Sequence, residues 1–199
     1  MLHPATELRY ISPKIGYGVF ATAFIPIGTI IYVQDALEIV LNPNNPLCQD
    51  PRYRPYIEKY AYQDSDNNHV ISWDFAKYIN HCCHANTLST GYGFEIAIRD
   101  IQPGEEITDE YALFCANETL TMDCHYADCR LRLQVGDLAE YGPLWDNLIQ
   151  PALRAISGVP QPLLPLVDEE TQSALNTYLS TGEAYRPVAP QNYTLLPVV

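Results

Sequence analysis

Between Tyr10 and Val40 the apolar residues come in short runs punctuated by glycine and proline. Gly16-Tyr17-Gly18 precedes Val19-Phe20-Ala21, and Pro26-Ile27-Gly28 precedes Thr29–Val33. Phe94–Arg99 alternates and then breaks at Gln102-Pro103-Gly104, before Glu106–Thr108 resumes. The runs are rich in β-branched and aromatic residues, so a backbone that turns this often builds short strands in small sheets. His69–Trp73 (HVISW) reads as another strand. A polar, proline-containing insert, Asn42–Arg54, leads into the aromatic stretch Tyr53–Tyr62, which suits a short helix.

After Cys129 the pattern changes. Leu138, Tyr141, Leu144, Trp145, Leu148, Ile149, Leu153 and Ile156 recur mostly three or four apart, which predicts an amphipathic helix over Asp137–Ser157. Pro143 and Pro151 are expected to start helical stretches or to kink one. Pro160–Pro165 is a stiff connector, Asp168–Leu179 a second helix, and Arg186–Val199 an extended tail. The fold class is therefore mainly β (α+β), with a helical C-terminal extension. A chain of 199 residues holds one domain with an appendage, and the helical back is too small for a core of its own. The expected divisions are 5–115, a cysteine segment at 116–133, and a helical and extended appendage at 134–199.

No apolar run is long enough to span a membrane, and Met1–Lys14 has no continuous apolar stretch of the kind a secretory signal needs. An intracellular protein is expected, cytoplasmic rather than nuclear. Six cysteines in a chain able to build a core read as reduced thiols, some of them metal ligands. Asp and Glu outnumber Lys and Arg 24 to 11, a formal charge of −13. Such a surface repels nucleic acid and favours basic partners.

Three segments carry chemistry. Glycines around Tyr17 let the backbone at Gly16–Gly18 turn sharply and approach a ligand. Asn80-His81-Cys82-Cys83-His84-Ala85-Asn86 packs two Asn, two His and two Cys into one run, which in isolation suits a metal site. Ile96–Tyr111 is a strand, a Pro-Gly turn and a second strand ending on an aromatic.

In this order the segments resemble the SET domain, a family of protein lysine methyltransferases. Gly16–Ala21 is similar to its G-x-G-V-F-A opening, Tyr78–Asn86 to its F-I-N-H-S-C-x-P-N stretch, and Gly104–Tyr111 to its G-E-E-L-T-Y-D-Y close. The likeness covers Leu8–Cys129 and points to the small single-domain members. It implies curved sheets in which the Asn80–Asn86 and Tyr111 segments cross like a knot. It also implies an S-adenosylmethionine site formed by Gly16, Tyr17, Gly18, Tyr78, Asn80, His81 and Tyr111. The Asn80 side chain would take the amino or carboxylate end, and the His81 backbone the adenine. Lys77 stands where many relatives have Arg. Tyr111 would orient the substrate amine and the methyl. A lysine on a basic protein, histone-like or ribosomal, is the implied substrate, with no direct nucleic-acid or membrane partner.

The chain departs from the family pattern at Cys82 (usually Ser), Ala85 (usually Pro) and Asp109 (commonly Tyr or Phe). A carboxylate in the lysine pocket would favour the charged amine and oppose transfer, so Asp109 is expected to face water or a backbone donor. Relatives often close with C-x-C-x₄-C, whose first cysteine is here Met122. Cys83, Cys124 and Cys129 then supply three ligands for a structural zinc, with Cys115, His125 or Cys82 as the fourth. Two other readings remain: a catalytically silent SET-like protein-binding module, and a plain zinc protein built on Cys82, Cys83, His84, Cys124 and Cys129.

Overall fold

A computed structural model of the protein describes residues 1–64, 66–114, 119–122, 124 and 126–189. Strands β1 (Thr6–Ser12) and β2 (Gly16–Ala21) form a hairpin, with Gly16 in the left-handed region at φ 87° where the register shifts. β3 (Ile30–Val33) and β4 (Ile39–Leu41) follow, then helices α1 (Pro46–Gln49) and α2 (Arg54–Tyr60). Next come β5 (Ala61–Gln63), β6 (His69–Ile71), β7 (Asn80–His81), β8 (Thr87–Ser89), β9 (Phe94–Ala97) and β10 (Glu106–Asp109). β11 (Leu120–Thr121) and β12 (Arg132–Leu133) lead into helices α3 (Asp137–Ala155) and α4 (Glu169–Thr181).

The sheets are small, as the turn density requires. One is mixed, ordered β1-β2-β10-β7, with β10 antiparallel to β2 and parallel to β7. Two are antiparallel, β3-β9-β8 and β4-β6-β5, and β11 pairs with β12. The helical back shares the main core: Trp145, Ile149 and Leu153 of α3 pack with Ile30, Phe94 and Ile96. A second cluster holds Val19, Ala21, Ile79, Ala97, Ile101 and Ile107. Sandwiched between them, β9 is buried at every position, so Glu95 does not reach water as alternation would suggest.

The helix expected over Asp137–Ser157 forms as α3, which runs through both Pro143 and Pro151, so neither proline starts a separate helix. An interior proline costs about 3 kcal/mol. Burying Leu138, Trp145, Ile149 and Leu153 on one face, at about 1.5–3 kcal/mol for each large aliphatic side chain, offsets it. α4 is bounded by chemistry visible in the sequence: Asp168 Oδ1 accepts the Thr171 N–H at 2.8 Å, and Gly182 closes the helix at φ 76°. Of the expected tail Arg186–Val199, residues 190–199 lie outside the described part. Tyr185 just before it donates to Asp146 Oδ1 on α3 at 2.6 Å. Among the described residues no helix is long and apolar enough to cross a membrane.

Candidate functional site

The second and third sequence segments meet along β7 and β10, where Thr108 pairs with Asn80 and Asp109 with His81. Asn86, 1% exposed, fastens the crossing. Its Nδ2 donates to the Glu106 carbonyl at 2.8 Å, and its Oδ1 accepts the Thr108 N–H at 2.9 Å. Thr87 Oγ1 donates to the Thr108 carbonyl at 3.0 Å, and the Cys82 N–H to the Asp109 carbonyl at 3.0 Å. Beyond the strand end, the Tyr111 hydroxyl donates to the Ile79 carbonyl at 2.6 Å. Residues some thirty apart in sequence are thus held as one surface.

The first segment joins it from β2. Asn80 Nδ2 donates to the Tyr17 carbonyl at 3.1 Å and to Glu106 Oε1 at 2.8 Å. A Cβ at position 18 would sit 2.6 Å from Glu106 Oε1 and Ile11 Cδ1 and 3.0 Å from Asn80 Nδ2, so these side chains would have to move. Gly16 is different: a Cβ would meet nothing within 4 Å, so open space lies beside its backbone. Half-exposed Tyr17 packs edge-on to Tyr78, ring centroids 5.8 Å apart. Gly18→Ala should therefore push Asn80 and Glu106 apart, destabilising the fold by about 1–2 kcal/mol. A urea midpoint equal to that of the unsubstituted protein would show that the two side chains simply swing aside. Lys77 is turned inward, its ammonium donating to the carbonyls of Ser72 (3.1 Å) and Asp74.

The side chain of His81 has a task that the sequence did not reveal. Its Nδ1 accepts the Tyr111 N–H at 3.3 Å, which leaves the ring proton on Nε2, 3.5 Å from Cys83 Sγ. Burial, helped by the Arg130 charge, lowers its pKa to about 4. The ring is then neutral, and its 3.7 Å approach to Glu110 is not an ion pair. Because the folded pKa lies below the free value of 6.5, this group's stabilisation is intact above pH 6.5 and is lost progressively as pH falls toward 4.

Tyr111 faces a cavity of about 120 Å³ whose walls include Tyr32, Tyr62, Ile79 and Phe114. Asp109 and Glu95 line the same cavity. The expectation for Asp109 is half corrected here. Its Oδ1 does accept a backbone donor, the Glu110 N–H, at 2.6 Å, but the residue is 1% exposed and does not face water. The reason is the period of the strand: on β10, Ile107 and Asp109 both point inward.

The thiols of Cys83, Cys124 and Cys129 gather within 4.8 Å of one another, as the sequence suggested. Backbone N–H groups point at the sulfurs: Arg130 at Cys83, and Cys124 and Leu131 at Cys129, each at 3.4 Å. Cys82 stands outside this trio, its Sγ accepting the His84 N–H at 3.3 Å. Cys115 and His125, the other suggested fourth ligands, lie outside the described residues. Among the described cysteines none is in a disulfide. The sequence also gave no sign of Arg130, which bridges buried Glu110 and, at 3.0 Å, Asp137 at the start of α3.

The family model of the SET domain matches residues 16–112. No curated protein matches the chain. A crystal structure of KRYPTONITE in complex with mCHG DNA and SAH is 21% identical, with a TM-score of 0.45. The match covers 65% of this chain and 29% of that one, so the chain spans under a third of that protein's length.

Proposed function

Since the chain belongs to the SET-domain family, we propose that it is an S-adenosylmethionine-dependent methyltransferase acting on lysine side chains of a basic protein. The observation that carries this reading is the placement of Tyr111 between the Asn80–His81 strand and a cavity walled by Tyr32, Tyr62 and Phe114.

The residues present fit the cofactor. Open space beside the Gly16 backbone admits a ligand to the main chain, with Tyr17 and Tyr78 offering exposed ring surface nearby. Gly16, Tyr17, Gly18, Tyr78, Asn80, His81 and Tyr111 would hold it. The amide nitrogen of Asn80 is committed within the protein, so its Oδ1 is the atom suited to an amino group. When bound, S-adenosylmethionine supplies a methyl on a sulfonium, which an amine takes by in-line displacement.

The protein's own part is to admit a lysine, orient it and keep water out. Tyr32, Tyr62 and Phe114 form walls that favour the aliphatic stem, and the low-dielectric surroundings disfavour an ammonium. The hydroxyl of Tyr111 positions the amine, a contribution of alignment more than of proton transfer. A surface of charge −13 draws basic protein segments toward the cavity.

A radiolabelled methyl assay against basic proteins, run beside a thermal-shift titration with S-adenosylmethionine, tests the reading. Labelled lysine is expected; no shift with the cofactor would sink the enzyme. Binding without transfer to any protein would favour the second reading, a silent protein-binding module, for which the buried carboxyl of Asp109 in the cavity is the supporting observation.

Cys83, Cys124 and Cys129 would hold a structural zinc, whose four-ligand shell needs one donor beyond the described trio. One zinc per chain is expected by metal analysis, and Cys129→Ser should lose it with a fall in melting temperature. Metal-free protein of unchanged stability would leave these as buried thiols.

A further inference from the structure

Asp109 and Glu95 are 1% and 6% exposed, line the Tyr111 cavity together, and come from different sheets. Their carboxyl groups lie within hydrogen-bonding reach of one another. Asp109 Oδ2 and Glu95 Oε2 receive no hydrogen bond from any donor among the described residues. Two ionised carboxylates are acceptors only and cannot pair, so a proton held between them is what makes the arrangement tolerable.

We propose that Asp109 and Glu95 act together as the acceptor of the proton that a substrate ammonium gives up beside Tyr111. The inference rests on the methyltransferase reading and supplies its missing step. An amine must be neutral to attack, yet free lysine, with a pKa of about 10.4, arrives charged. With one proton on the pair, the remaining carboxylate takes a second: an N–H bond breaks, its electron pair stays on nitrogen, and an O–H bond forms on the carboxyl pair. The charged ammonium and the singly ionised pair become a neutral amine and two neutral acids, which burial of the two carboxyls favours over charged groups.

The surroundings suit this role. Burial, then the neighbouring Glu95 charge, raises the Asp109 pKa well above the ordinary range, and burial brings that of Glu95 to about 7. Other charges bear on the pair as well. Glu110, just past the end of β10, adds repulsion but is itself engaged by Arg130, and the Met1 amino group favours ionised Glu95. Tyr62 across the cavity stays protonated, its pKa raised chiefly by burial. Lys59 and Lys77 line the wall, the latter tied to main-chain carbonyls.

Two measurements on the full chain test the proposal. Infrared spectroscopy should reveal the C=O stretch of a protonated carboxyl that titrates near pH 7 and is altered in both E95Q and D109N. The rate of methyl transfer should fall below that pH in the unsubstituted protein. In E95Q it should drop about a hundredfold at neutral pH and recover toward pH values near the lysine's own pKa, about 10. A side chain with only a packing role would lower the rate equally at every pH. Absence of the carboxyl band overturns the shared proton whatever the turnover. A band present with E95Q as active as the unsubstituted protein at every pH overturns the acceptor role. A band present with no methyl transfer by the unsubstituted protein overturns the methyltransferase reading, and the acceptor role with it.

Discussion

Replacing Tyr111 by phenylalanine should lower kcat about a hundredfold or more, with S-adenosylmethionine binding close to unchanged. The hydroxyl is fixed from three sides. It donates to the Ile79 carbonyl at 2.6 Å, its backbone N–H is held by His81 Nδ1 at 3.3 Å, and its ring packs 5.5 Å from the His81 ring. Phenylalanine keeps the ring and loses the anchor. The Ile79 carbonyl then has no donor, and the ring can shift by the fraction of an ångström that in-line attack does not tolerate. Folding should suffer far less, by about 1 kcal/mol, because one hydrogen bond to a neutral group is lost. Single-turnover methylation alongside isothermal titration with the cofactor separates the two. Wild-type rates in the variant would remove Tyr111 from the chemistry, and a matching loss of cofactor affinity would make it a binding residue instead.

Arg130→Ala is expected to cost about 3–5 kcal/mol of stability, the usual consequence of removing one partner from a buried ionic group. Its guanidinium joins Glu110 to Asp137, whose side chains are 3% and 8% exposed, and lies 4.9 Å from the Tyr141 ring centre. Removing it leaves two carboxylates facing each other across a desolvated gap. The pH dependence has a definite sign. Burial already raises the Glu110 pKa above its usual value while Arg130 holds it down, so the variant raises it further. A carboxyl with a raised folded pKa loses stability as pH rises through that pKa, so the deficit should grow with rising pH and shrink on acidification. Urea denaturation at several pH values measures this. A difference from wild type below about 1 kcal/mol would mean that water reaches the carboxylates and the bridge is a surface one.

The legible residues and the illegible ones differ in kind. Gly18, Asn80, Asn86 and Tyr111 could be picked from the sequence because each lies in one of the three ordered motifs, although the partners of Asn80, Asn86 and Tyr111 are distant along the chain. Asn86 has to be an amide to serve a carbonyl and an N–H of one neighbouring strand, and a Cβ at position 18 would crowd Glu106 and Asn80. The cysteine trio was legible because thiols in such a pattern have few other uses. Glu95 was not legible. Alternation along Phe94–Arg99 assigns it to the wet face, and only the packing of two clusters on either side of β9 buries it. Pro143 and Pro151 left two readings open, the start of a helical stretch or a kink within one, and the buried face of α3 decided for interior positions.

Asp109 shows the same division within one residue. Its place two residues after Ile107 on β10 turns it inward, so of the two expected surroundings, water and a backbone donor, only the donor is met. What it meets there comes from a strand of another sheet. The sequence by itself determined the short-strand fold and the three ordered segments, because turn chemistry and strand period act over a few residues, and the resemblance of those segments to the family singled out Tyr111. Tertiary structure alone decided that Asp109 meets Glu95, that the His81 ring supports the Tyr111 backbone, and that Arg130 ties α3 to the site. Each of these joins groups distant along the chain, and burial, which sets the energy of a charge, exists only once the chain has closed around it.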